Sequence, residues 1–63
     1  MTKTEAIVVM NKGKKVTHTY FSHDEWMTIK NGEIVFEDGG KCSQDEFWKD
    51  RTTKEWEDGY TII

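Results

Sequence analysis

Two histidines, one cysteine and four adjacent acid pairs are the side chains of this sequence best suited to chemistry. His18 and His23 lie close to Asp24 and Glu25, a grouping that suggests a metal pair or an acid–base pair. Their spacing is not the i, i+4 of helical ligands, and a strand-to-cap bend is expected between them, so no metal ligand is assigned. Cys42 precedes Ser43 at an expected helix N-terminus, where a thiolate would be favoured. A nucleophile also needs a base and an oxyanion site, and sequence places neither histidine near Cys42. The thiol therefore reads as a small, inert core side chain.

The acid pairs are Asp24-Glu25, Glu37-Asp38, Asp45-Glu46 and Glu57-Asp58. Two fall where helix N-termini are expected and would favour the helix dipole; the other two precede glycine in turns. No alternating acidic register ends in glutamate as an EF-hand loop requires, and so short a chain scarcely encloses a glycosidase cleft. Gly39-Gly40 alone is a turn and not a phosphate loop. No catalytic residue and no cofactor is assigned, and a protein that is not an enzyme is expected.

With 63 residues, the chain is expected to form one domain, near the lower size for folding without staples. A single cysteine excludes an intramolecular disulfide. The lone thiol, and the lack of an apolar run long enough for a signal peptide or a membrane span, point to the cytoplasm and to no membrane partner. Eight aromatic residues supply the apolar area that staples would otherwise replace. Charge is uneven: residues 1–21 hold four lysines against Glu5, whereas residues 22–63 hold five basic against eleven acidic side chains. That balance disfavours direct nucleic-acid binding, and Lys12, Lys14 and Lys15 read as a solvated turn.

Ser43 to Arg51 carries the strongest helix signal. Ser43 and Glu46 have capping-box spacing, Asp45 and Glu46 fill the first turn, Arg51 lies in the last, and Thr52-Thr53 end it. Ser22 and Glu25 repeat the spacing and predict a helical turn at about 22–27, with a hairpin through Asn31-Gly32 as the alternative for the residues that follow. Glu5–Met10 is apolar and β-branched and predicts a strand paired with Val16–Phe21 across a turn at Asn11–Lys15. Glu33–Glu37 and Tyr60–Ile63 complete the strands, the last of them needing a neighbour to prevent fraying. The expectation is α+β: a small antiparallel sheet of three or four strands with one short helix (about 43–51) and a helical turn (about 22–27). Residues 22–39 and 43–59 share cap, aromatic and Glu-Asp-Gly in the same order, suggesting a degenerate internal repeat.

The Ser-x-Asp-Glu-aromatic segments, the aromatic-Glu-Asp-Gly turns and Glu46-Phe-Trp-Lys-Asp-Arg51 resemble small uncharacterised early proteins of large tailed bacteriophages, over roughly residues 20–63. That resemblance implies a protein that binds and redirects a host protein. The residues themselves support a similar expectation. Phe47 and Trp48 are about 100° apart on a helix, so one packs in the core and the other at its edge. Trp48 and Trp56 are then candidate anchors of a protein-binding module, with Arg51, Glu57 and Asp58 as a polar rim. The alternative is an acidic mimic of nucleic acid that occupies a DNA- or RNA-binding protein. The partner is a protein of unknown identity, and the chain is a monomer or a homodimer paired through its C-terminal strand.

Overall fold

The computed structural model describes residues 1–63 as a five-stranded antiparallel sheet and two helices around one core. The elements run α1 (Lys3–Asn11), β1 (Val16–His18), β2 (Met27–Lys30), β3 (Glu33–Phe36), β4 (Lys41–Ser43), α2 (Gln44–Lys49), a 3-10 turn (Lys54–Trp56) and β5 (Tyr60–Ile62). The strand order is β4-β3-β2-β1-β5. The α+β class matches the expectation, with five strands where three or four are expected.

Glu5–Met10 is the main correction: it is helix and not a strand. Thr2 and Glu5 form a complete capping box, in which the Thr2 hydroxyl accepts from the Glu5 N–H at 3.2 Å and the Glu5 carboxylate accepts from the Thr2 N–H at 2.9 Å. At the other end Gly13 has φ +90°, its N–H donates to the Met10 carbonyl, and the Lys14 N–H donates to the Val9 carbonyl. That pair of bonds is a Schellman motif. Both ends of α1 are thus fixed by local chemistry, which outweighs the strand preference of Ile7-Val8-Val9. Ala6 and Met10, one turn apart, are buried.

The segment 22–27 makes a single hydrogen-bonded turn and no helix. The Glu25 N–H donates to the Ser22 carbonyl, and the Glu25 carboxylate accepts from the Ser22 N–H at 2.7 Å. The chain then enters β2, so the hairpin alternative holds. Asn31 (φ +53°) and Gly32 (φ +80°) are the two central residues between Lys30 and Glu33, the left-handed pair that a two-residue hairpin demands. Gln44 Nε2 donates to the Gly32 carbonyl and ties α2 to this turn. The two segments read as a repeat use opposite halves of the capping box, the Glu25 carboxylate on the Ser22 N–H and the Ser43 hydroxyl on the Glu46 N–H, and they lead into a hairpin and a helix respectively.

Strand alternation gives the sheet a core face. Val16, His18, Met27, Ile29, Ile34 and Tyr60 are buried together with Ala6, Met10 and Phe47 from the helices. The opposite strand positions include Lys30, Glu33, Val35 and Lys41, facing solvent. On α2, Phe47 is 3 % exposed and Trp48 is half-buried at the rim of the core. No helix is long and apolar enough to cross a membrane.

Tyr60–Ile62 is tied into the sheet by β1, with His18 opposite Tyr60 and Val16 opposite Ile62. Its outer edge is partly occupied: the Tyr60 N–H donates to the Met1 carbonyl, and the Met1 nitrogen donates to the Tyr60 carbonyl at 2.7 Å. Edge pairing with a second copy through Tyr60 therefore requires Met1 to be displaced.

Candidate functional site

The register that sets His18 opposite Tyr60 also brings the end of β1 against the turn that follows α2. His18 is 4 % exposed. Its Nδ1 accepts from the Tyr20 N–H at 3.0 Å, which leaves the proton on Nε2. Nε2 donates to the Asp58 carbonyl at 2.8 Å and also faces the Glu55 carbonyl at 3.1 Å. The imidazole is thus a fastener between β1 and the 3-10 turn. Both ring nitrogens are already engaged, so it is not free to ligate a metal or move a proton. His23 is exposed and apart from it, and no three ligating side chains converge anywhere in the chain.

Trp56 lies flat on His18, with ring centroids 4.3 Å apart and planes 24° from parallel. Tyr20 stands edge-on to both, 5.6 Å from His18 and 5.7 Å from Trp56, and Phe21 tilts against Trp56 at 6.2 Å. Tyr20 is 64 % exposed, whereas Trp56 and Phe21 are half-buried. Arg51 also lies close to Trp56. Its guanidinium carbon is 4.1 Å from the Phe47 ring centroid and 5.2 Å from that of Trp56. Nη1 donates to the Phe47 carbonyl at 2.9 Å, closing the end of α2.

Of the residues expected from sequence to bind a partner, the fold brings Arg51 and Trp56 side by side. The Asp58 carbonyl is held by His18 Nε2. The Asp58 carboxylate accepts from the Gly59 N–H at 2.7 Å and lies 3.6 Å from the Met1 nitrogen, so it serves its own turn. The Glu57 side chain is exposed, while its carbonyl accepts from the Lys3 N–H at 2.9 Å. Trp48 lies on the other side of Tyr60. It is edge-on to Phe47 at 4.8 Å and to Tyr60 at 6.1 Å, with Lys3 Nζ 4.5 Å over its ring. Its indole nitrogen is buried without a partner.

Nothing in the type or spacing of Tyr20 and Phe21 marks them as site residues in the sequence. Gly59 is a turn glycine there, and the fold shows why the position admits little else. Its φ is +94°, and a Cβ there would lie 2.9 Å from Thr19 Oγ1 and 3.1 Å from His18 Nε2.

Burial pushes the Tyr60 hydroxyl up to about 12, with the Glu57 charge adding to it and Arg51 opposing. The hydroxyl donates to the Trp56 carbonyl at 2.7 Å. The Cys42 thiol is also raised, chiefly by burial and then by Glu46. A raised thiol has little thiolate, which fits a packing role. The concavity on the open sheet face, about 350 Å³, is lined by Lys30, Asn31, Glu33, Val35, Gly39 and Lys41, at a distance in the fold from the aromatic cluster. No protein-family model, curated protein or solved structure is detectably similar to the chain.

Proposed function

We propose that this chain is a non-enzymatic protein-binding module that docks through the surface formed by Tyr20, Trp56 and Arg51. The observation that carries the reading is the exposure of Tyr20, edge-on to a Trp56 ring that is stacked on buried His18 and has Arg51 near it. Tyrosine, tryptophan and arginine dominate the energetic centres of protein interfaces because they bury large areas at small entropic cost. Here the fold orders these side chains beforehand, which lowers the cost of association. Glu55 and Glu57, exposed on either side of Trp56 in the chain, supply polar edge groups that set register, and Asp58 follows them in the turn. The likeness to early phage proteins favours a host protein as the partner.

The test is capture from bacterial lysate by the immobilised chain at low and high salt, beside Tyr20→Ser. A partner retained at high salt and lost with Tyr20→Ser supports docking on the aromatic surface. A partner lost at high salt and indifferent to Tyr20→Ser supports the acidic mimic of nucleic acid in its place.

A further inference from the structure

Arg51 is the one arginine of the chain, and among twelve acidic residues it has no carboxylate partner: no acidic oxygen lies within 4.0 Å of its nitrogens. Its placement is nonetheless fixed. The guanidinium is held over Phe47 and beside Trp56, and Nη1 is anchored on the Phe47 carbonyl. Nε is buried without a partner. Nη2 makes no bond within the chain and is not buried, so the end of the fork keeps donors turned to solvent. A stacked, oriented and unpaired guanidinium is the arrangement that recognises a carboxylate through parallel N–H···O bonds. Behind the bonds from Ser22, its charge helps to lower the Glu25 carboxyl, but Glu25 makes no ion pair with it and accepts from the Ser22 N–H instead.

We infer that Arg51 is the receptor for a carboxylate on the docked partner. The inference rests on the docking surface proposed above and names the chemistry of its occupant: an Asp or Glu side chain on a peptide segment, next to an apolar side chain that covers Trp56 and Tyr20. The surroundings narrow this further. The segment 54–58 that carries Trp56 holds three exposed acids, Glu55, Glu57 and Asp58, against one lysine, which opposes a run of acids or an extended phosphate chain on this surface. The matching segment carries one acid with neutral or basic neighbours.

A random peptide library selected on the immobilised protein tests this, with affinities of the enriched peptides measured by titration. The enriched peptides are expected to share one Asp or Glu beside an aromatic or aliphatic residue. Replacing that acid by its amide should weaken binding to the wild-type protein about tenfold or more. The same replacement should have little effect on binding to Arg51→Gln, and Arg51→Lys should recover only part of the difference because it lacks the planar fork. The amide comparison on wild-type protein stands even if Arg51→Gln folds poorly. Peptides that depend on Tyr20 but share no acid, or that lose equal affinity on both proteins, overturn the role of Arg51 and leave the docking surface in place. Peptides indifferent to Tyr20→Ser, or no enrichment at all, overturn both.

Discussion

Trp56 and His18 lie face to face at 4.3 Å although 38 positions separate them in the chain. The contact joins the end of β1 to the turn before β5, and the imidazole secures it with bonds at both ring nitrogens. This pair holds the Tyr20 and Trp56 part of the proposed docking surface, while Arg51 is held separately on Phe47. Tyr20 is fixed by its N–H on Nδ1, and the segment from the 3-10 turn to Asp58 is fixed by the Glu55 and Asp58 carbonyls facing Nε2.

His18→Phe separates the stack from the hydrogen bonds. It keeps an aromatic ring on Trp56 but leaves the Tyr20 N–H and the Asp58 carbonyl without their partner. The expected loss is about 2–4 kcal/mol of stability, since each part-buried polar group left unpaired costs roughly 1–3 kcal/mol. Urea unfolding of both proteins measures it. A loss below about 0.5 kcal/mol would mean that water replaces both bonds.

Gly59→Ala and Gly39→Ala differ in a way that isolates close approach from backbone strain. Both positions have positive φ, +94° and +87°, but only at Gly59 does a Cβ meet other atoms. Gly39→Ala should cost about 1–2 kcal/mol, the left-handed penalty alone. Gly59→Ala should cost more, and Thr19→Ala should recover part of the excess by removing the oxygen at 2.9 Å. Thermal unfolding of the three variants and the double variant decides this.

Tyr60 predicts the alkaline limit of stability. Its folded value of about 12 lies above the unfolded value of 10.0, so the neutral hydroxyl is favoured in the native state. The stability it contributes is complete below pH 10.0 and is lost as pH rises through about 12. Tyr60→Phe should be less stable near neutrality by about 1 kcal/mol, through the bond to the Trp56 carbonyl. It should also show a flatter decline above pH 10.0. An unchanged alkaline slope would remove Tyr60 as its origin.

Thr2→Ala tests why α1 is a helix. The box with Glu5 supplies the N-terminal bonds, and its loss should cost about 1 kcal/mol. The Glu5 carboxyl is held below its ordinary value of 4.5 by the two Thr2 bonds, chiefly the backbone one. Its contribution is present above 4.5 and is lost as pH falls through the lowered native value, so Glu5→Gln should flatten the acid limb of a stability–pH profile.

Local chemistry was legible in the sequence wherever the deciding residues were neighbours. Asn31-Gly32 announces the β2–β3 hairpin, and Ser43, with its hydroxyl accepting from the Glu46 N–H, announces α2. Residues 5–10 misled because three successive β-branched or apolar side chains obscure a cap that begins at Thr2, and helix propensity differs by only a few tenths of a kcal/mol per residue there. β4 has three residues and no apolar alternation; pairing with β3 makes it a strand. The site divides along the same line. Trp56 and Arg51 stand out by type, whereas Tyr20 and His18 join them only through the β1–β5 register, which no local pattern encodes.

The most direct measurement is the affinity of the captured partner for Tyr20→Ser against wild type, with the exposed Val8→Ser as a control on α1. Docking through the Tyr20–Trp56–Arg51 surface predicts a loss of roughly tenfold or more for Tyr20→Ser and none for Val8→Ser, in variants that both stay folded. Equal affinity for Tyr20→Ser and wild type would contradict the assignment of this surface.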